Sequence, residues 1–420
     1  MANPVVARLL IPAAAGLLVS CSTPAPTAST QAAPRNFDRA LVAKGAELAA
    51  IGNCVTCHTA PGGKPFAGGY PIKTPFGTVH GTNITPDPET GTGRWSEAEF
   101  SRALREGLDP QGRHYYPAFP YEYFTRLSDD DVRALYAFVM TREPVNATEP
   151  VNTMIVPRFA VAFWKSRYFE PGRFRPDPAR DAQWNRGAYL VGALAHCSAC
   201  HTPRDKLGAE RKNEYMAGGE VGGWHAPALN DRSPSPVPWN ADSLAQYLAT
   251  GLVDAHAITA GPMADVVENL GHASRQDLGA ISAYTAALDS RSREERESRL
   301  REALAAAGRR EADRADANGA VIYAGACADC HDRGRDKEGG ALQLQLAIAL
   351  SLPTPANLIH ITRDGILPSE HGSQRWMPEF GTALTEEQIV DLAVYLRSRT
   401  DKPAWQDVRG EVRELAQSRK

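Results

Sequence analysis

Three times in this 420-residue chain a pair of cysteines brackets two residues and a histidine follows at once: Cys54-Val55-Thr56-Cys57-His58, Cys197-Ser198-Ala199-Cys200-His201 and Cys327-Ala328-Asp329-Cys330-His331. Two thiols at that spacing can form thioethers with the vinyl groups of a haem, while the adjacent imidazole gives the iron an axial nitrogen. CxxC pairs also serve thiol redox chemistry and zinc. Redox work does not need the histidine, however, and three separated motifs with no further cysteine beside them suit zinc poorly. The seventh cysteine, Cys21, lies well upstream of all three. The chemistry implied is three covalently bound haem c groups. Cys54, Cys57, Cys197, Cys200, Cys327 and Cys330 are the attachment points, and His58, His201 and His331 are axial iron ligands.

The sixth ligand of an electron-transfer haem is usually a methionine sulfur, which raises the potential and closes the iron to small molecules. Helical patterns downstream of each motif end at Gly107, Gly251 and Gly365. Twelve residues on from Gly251 stands Met263, in Gly261-Pro262-Met263, and twelve on from Gly365 stands Met377, in Trp376-Met377-Pro378. Both are read as axial ligands. The same count from Gly107 reaches Phe119, in Tyr116-Pro117-Ala118-Phe119-Pro120-Tyr121, and a phenyl ring cannot coordinate iron. Haem 1 is therefore expected to lack methionine ligation from this loop. His114, in the same loop, is the first candidate for its sixth ligand; His80, Met140, Met154 and a five-coordinate iron are the alternatives. Met216 competes with Met263 at haem 2. Its segment echoes Phe66-Ala67-Gly68-Gly69, where no methionine is present, and that favours a packing role.

The elements that must hold these groups repeat as well. Lys44-Gly45-Ala46-Glu47-Leu48, Arg186-Gly187-Ala188-Tyr189-Leu190 and Asn318-Gly319-Ala320-Val321-Ile322 each read as a helix running into its motif. Ser128, Ser274 and Thr385, each with an acid or amide three residues on, read as N-caps of closing helices. Those helices carry apolar stripes at Val132, Leu135 and Phe138, at Leu278, Ile281 and Tyr284, and at Ile389, Leu392 and Tyr395. Gly107, Gly251 and Gly365 are expected as left-handed residues ending the middle helices. The fold class is all-α, mostly helical, in three tandem cytochrome c-type domains at 36–142, 183–289 and 316–400. A proline- and aromatic-rich connector, 143–182, joins the first two as a strap packed across domains or as a docking face. A charged helical linker covers 290–315, and 401–420 is a C-terminal tail.

The first 21 residues read as a signal peptide. Leu18-Val19-Ser20-Cys21 resembles a lipobox in which Cys21 would be lipidated, ahead of a flexible tether over 22–35; the alternative is cleavage elsewhere with Cys21 unmodified. The apolar stretch from Leu9 to Val19 is too short to cross a bilayer. An exported, periplasmic protein is expected, membrane-anchored as a lipoprotein or through a partner, since c-type haem matures outside the cytoplasm. The net charge of −3 offers no electrostatic grip on nucleic acid. No GxGxxG follows a strand pattern, and three modules with their connectors leave no room for a flavin or nicotinamide fold. This describes an electron carrier without substrate chemistry of its own. The alternative is a haem enzyme, peroxidase-like, acting at haem 1 with His114 moving protons.

Beyond CxxCH, the phrases Thr74-Pro75-Phe76-Gly77-Thr78, Thr82-Asn83-Ile84-Thr85-Pro86-Asp87, Tyr116 to Tyr121, Asn185 to Leu190 and Gly261-Pro262-Met263 run through nearly all of the mature chain. In these the sequence resembles the three-haem cytochrome c subunits of bacterial periplasmic and membrane-bound dehydrogenase complexes. The resemblance implies a relay that accepts electrons from a dehydrogenase catalytic subunit. That subunit would be a quinoprotein alcohol dehydrogenase, a flavoprotein acting on gluconate or sorbitol, or a molybdenum hydroxylase of the aldehyde or nicotinate type. Electrons would then pass to quinone or to a downstream cytochrome or oxidase. Many members of the family carry methionine where Phe119 stands, so haem 1 departs from their pattern.

Overall fold

The computed structural model describes residues 36–309, 318–332, 341–371 and 374–417. Cys21, the signal and tether segments, and the end of the charged linker lie outside the described residues. The architecture is mostly helical. Strand pairing among the described residues is confined to three antiparallel hairpins, Pro71–Thr74 with Gly77–His80, Gly219–Val221 with Trp224–Ala226, and Leu252–Val253 with Ala257–Ile258, and to isolated bridges.

One helix crossing recurs three times. Arg39–Ile51 packs on Asp129–Val139, Ala182–Tyr189 on Arg275–Ala286, and Asn318–Ala326 on Glu386–Ser398. The glycine of each leading helix makes the crossing close. A Cβ on Gly45 would stand 2.0 Å from the Ala134 carbonyl oxygen, on Gly187 2.1 Å from that of Ala280, and on Gly319 2.2 Å from that of Asp391. No side chain fits there, so the repeated glycine sets the distance between first and last helix.

The N-caps form as the spacing predicts. Ser128 accepts from the Asp131 amide at 3.1 Å, Ser274 from the Asp277 amide at 3.2 Å, and Thr385 from the Gln388 amide at 3.2 Å. Only Thr385 completes a reciprocal box with its third residue. In the other two modules that residue is an acid turned to the leading helix. Asp131 takes Lys44 at 2.5 Å and Asp277 takes Arg186 in a two-pronged pair at 2.8 and 2.7 Å. The charge-assisted pair outweighs a second cap bond to a neutral amide.

The middle helices Glu97–Glu106, Ala241–Thr250 and Ala356–Asp364 end at the expected glycines. Gly107 and Gly251 are left-handed, whereas Gly365 pairs φ 69° with ψ −169°, a region open essentially to glycine alone.

Modules one and two share an interior: Leu48, Leu127, Val132 and Phe138 of the first join Leu190, Val191, Leu194 and Leu278 of the second in one hydrophobic core. The third has its own, built on Tyr323, Ile359, Leu392 and Leu396. The C-terminus is not a free tail. Trp405, Val408, Val412 and Leu415 are buried in that third core, the last three aligned on one face of the helix Val408–Gln417. The apolar spacing i, i+4, i+7 in an otherwise charged stretch is what folds it back.

The first connector holds a short helix, Val161–Tyr168, entered through a 3-10 turn at Arg158–Ala160. Its aromatics divide. Phe169 and Phe174 pack on Tyr121 and Tyr189, while Phe159 and Phe163 stand 79% and 77% exposed. The second connector is helical over Arg293–Arg309, with an Arg293–Glu297 pair at 2.7 Å. No described helix is long and apolar enough to cross a membrane.

Candidate haem sites

Each motif forms a single short turn of helix: Cys54–Cys57, Ser198–His201 and Ala328–His331. In the first two modules the residue just before the first cysteine is left-handed, Asn53 at φ 53° and His196 at φ 38°, which breaks the leading helix and re-aims the chain. The returning hairpin is then pressed on the motif. A Cβ on Gly81 would lie 1.7 Å from the Cys57 carbonyl oxygen, and one on Gly219 2.4 Å from that of Cys200.

The three histidines share one arrangement. His58 Nδ1 lies 2.6 Å from the Thr82 carbonyl oxygen, His201 Nδ1 2.7 Å from that of Pro227, and His331 Nδ1 3.1 Å from that of Leu342. A carbonyl only accepts, so Nδ1 carries the proton and Nε2 keeps its lone pair for a metal. Burial lowers the pKa of His58 and His201, holding both imidazoles neutral. Burial, with the neighbouring cysteine adding, pushes the Cys54 and Cys197 thiols up to about 12. The described residues bring three potential metal-ligating side chains together at Glu268, Glu370 and His371, none of them in a motif. The donor sets thus fit a covalently tethered macrocycle with an axial imidazole.

On the opposite side, hairpin register aligns the first two modules. Leu108 bridges His114 and Leu252 pairs with Ile258; the Tyr115 amide donates to Gly107 and the Thr259 amide to Gly251, each at 2.8 Å. Four residues beyond Tyr115 and Thr259 stand Phe119 and Met263, which are therefore equivalent. Gly261, at φ 55° and ψ −145°, and Pro262 at the first turn launch the helix Pro262–Leu270 that carries Met263. Phe119 lies among Tyr115 at 5.5 Å, Phe124 at 5.8 Å and Tyr121 at 6.4 Å, each edge to face. Met377 is placed differently. It bridges Ile366 with both hydrogen bonds at 2.9 Å, in a longer loop, beside Trp376 at 67% exposure. His114 has Nδ1 3.4 Å from Lys165 Nζ and its carbonyl on Arg158 Nε at 2.7 Å. Met216 is fully buried in the shared core at φ 57°, matching Phe66 at φ 64°.

Residues 42–143 match the cytochrome c family, and residues 314–396 match the family described as cytochrome c oxidase, cbb3-type, subunit III. The fructose dehydrogenase cytochrome subunit of Gluconobacter japonicus is 34% identical over 88% of this chain and 81% of its own length. The gluconate 2-dehydrogenase cytochrome c subunit of Pantoea cypripedii is 36% identical over 85% of each. The chain belongs to the cytochrome c subunits of dehydrogenase complexes. It is also similar to a subunit of the nicotinate dehydrogenase of Pseudomonas putida, 43% identical over 88% of this chain, which spans 31% of that longer protein. As a cytochrome c it binds haem c covalently.

The cytochrome's sites are not isolated from one another. Asn269, on the helix that carries Met263, donates to Thr56 Oγ1 at 3.2 Å within motif one. Burial, the Cys200 thiol and the Asp265 carboxylate together push the Cys57 thiol up to about 11. His196, just before motif two, packs on Tyr123 and Phe124 of module one at 5.9 and 5.7 Å, and burial drops its pKa to about 4. Toward the third module, the Trp224 ring stacks on His360 at 4.6 Å, and His225 and Asn357 exchange backbone and side-chain bonds at 2.8 and 2.9 Å. Sequence reading missed these four contact residues, Asn269, His196, Trp224 and His360. Their partners lie in other modules, and the one signal available was a histidine set directly against Cys197.

Proposed function

We propose that this cytochrome c carries three haems and passes electrons through them from a dehydrogenase catalytic subunit to quinone or to a downstream cytochrome or oxidase. Cys54, Cys57, Cys197, Cys200, Cys327 and Cys330 hold the macrocycles, with His58, His201 and His331 as proximal ligands. Haem supplies one-electron chemistry at iron; the chain supplies attachment, ligands and spacing. Met263 and Met377 complete haems 2 and 3. The sixth position of haem 1 is not a methionine, and His114 is the donor its loop offers. The observation that carries this reading is the threefold contact of a carbonyl oxygen on Nδ1 of the motif histidine, which fixes the same tautomer at each site.

A dehydrogenase partner is supported by the relatives; the classes proposed for its catalytic subunit are quinoprotein, flavoprotein and molybdenum hydroxylase. The chain is an exported periplasmic lipoprotein held to the membrane by Cys21. Haem quantification should give three per chain, and purification of the native complex followed by mass spectrometry should recover the dehydrogenase subunit. One or two haems per chain would refute the relay as drawn; a chain that purifies alone from native membranes would refute the partner.

A further inference from the structure

Ten large apolar side chains stand exposed among the described residues, and four of them, Val151, Ile155, Phe159 and Phe163, occupy one stretch of the first connector. A fifth, Leu207, is held beside that stretch by the bond from Trp164 Nε1 to its carbonyl at 3.0 Å. Phe159 and Phe163 are four residues apart and share a helical face, with Arg167 on the following turn. The opposite face is the packed one: Val161 is 3% exposed and Lys165 reaches the Glu106 carbonyl. Residues 151–175 carry Arg158, Lys165, Arg167, Arg173 and Arg175 against the single acid Glu170; Glu170 pairs with Lys212 at 2.7 Å, Arg158 with Asp109 at 3.7 Å and Arg173 with Asp129 at 3.4 Å, while Arg167 and Arg175 stand exposed. This local excess of cations sits in a chain whose net charge is −3.

We infer that this connector face lies on an anionic lipid surface, with Phe159 and Phe163 entering the acyl boundary and Arg167 and Arg175 against headgroup phosphates. A bilayer meets both features at once, hydrocarbon for rings that water now surrounds and negative charge for the exposed Arg167 and Arg175. The contact would be a second tether besides any lipid on Cys21. The same connector is bound to the loop opposite haem 1, through Arg158 Nε on the His114 carbonyl and Tyr116 Oη on the Val156 carbonyl, both at 2.7 Å. Docking therefore turns toward the membrane the side of modules one and two that the connector covers.

The test uses the haem-loaded mature chain secreted with Cys21→Ser behind a non-lipoprotein signal, floated with vesicles of phosphatidylglycerol and phosphatidylethanolamine or of phosphatidylcholine alone. Flotation is expected with the anionic vesicles, weakened by salt, and lowered about tenfold or more by Phe159→Ser with Phe163→Ser and by Arg167→Glu with Arg175→Glu. The substituted side chains are exposed, so haem content and visible spectrum serve as folding controls. Equal flotation of the variants, or none by the parent chain, overturns the proposal. So does a photoreactive group at position 163 of the native complex that captures the dehydrogenase subunit instead of lipid.

Discussion

Phe119→Met tests the ligand assignment at its most specific point. The hairpin register makes Phe119 the counterpart of Met263, since each lies four residues past an amide that donates to a helix-ending glycine at 2.8 Å. If Met263 and Met377 ligate iron, the oxidised parent chain holds two thioether-ligated haems, and the substitution makes a third. The near-infrared thioether band should then grow by about half per chain, and the potential of haem 1 should rise. The change removes three edge-to-face ring contacts at 5.5 to 6.4 Å. That loss costs about 1–3 kcal/mol, partly offset by the flexible thioether filling the same space. Module one should therefore remain folded, with haem stoichiometry as the check. Met263→Leu is the reciprocal control and should bring the band down to about half. An intact, fully loaded Phe119→Met variant whose band equals the parent's would refute the equivalence. A parent band of three-haem intensity would refute it sooner.

Gly187→Ala should destabilise by about 1–3 kcal/mol in denaturant melts, because the new Cβ meets the Ala280 carbonyl at 2.1 Å and the helix pair must part. An unchanged midpoint would show that the crossing is not set by this glycine. Burial pushes the Glu122 carboxyl up to about 7, with Glu210 adding to the rise and Arg204, Lys212 and Arg126 opposing it. A raised acid favours folding fully below its unfolded value near 4.5, and that stability is lost as pH climbs toward 7. Glu122→Gln should therefore gain up to about 3 kcal/mol over the parent at pH 8 and little at pH 4, read from thermal melts at both. A difference independent of pH would contradict the shift. Truncation after residue 402 should release Trp405, Val412 and Leu415 from the third core and lower the melting of that module alone, followed through its haem absorbance.

How much was legible follows from where each signal lies. The motifs, the leading glycines and the N-caps are local patterns, and their threefold repetition multiplies weak cues into strong ones. Ser128, Ser274 and Thr385 cap helices because the backbone amides they serve lie three residues away. The partners of Asp131 and Asp277 could not be read in this way, since Lys44 and Arg186 come from helices far back in the chain. The C-terminal helix was missed for another reason. Its apolar residues, Val408, Val412 and Leu415, are diluted by Arg409, Glu411, Arg413 and Glu414, and no motif flagged the segment.

The merging of the first two cores bears on function as well as on stability. Tyr189, from the leading helix of module two, gives its hydroxyl to Asp131 at 2.6 Å and receives the Ser128 amide at 3.2 Å, both at the start of the closing helix of module one. Asn269 and His196 add contacts at the motifs themselves. Modules one and two therefore cannot reorient without breaking buried polar bonds and exposing shared apolar surface, which fixes the geometry between motifs one and two. The third module is joined through Trp224–His360 and His225–Asn357 and a separate core. On the three-haem relay proposed above, a rigid pair and a third module with its own interior set one transfer distance by packing and leave the other to a smaller interface. Asn357→Ala, which removes both of its bonds to His225, should accordingly slow electron exchange with haem 3 and leave exchange between haems 1 and 2 unchanged. Flash-reduction kinetics that showed both exchanges slowed equally would mean that the three modules behave as one rigid unit.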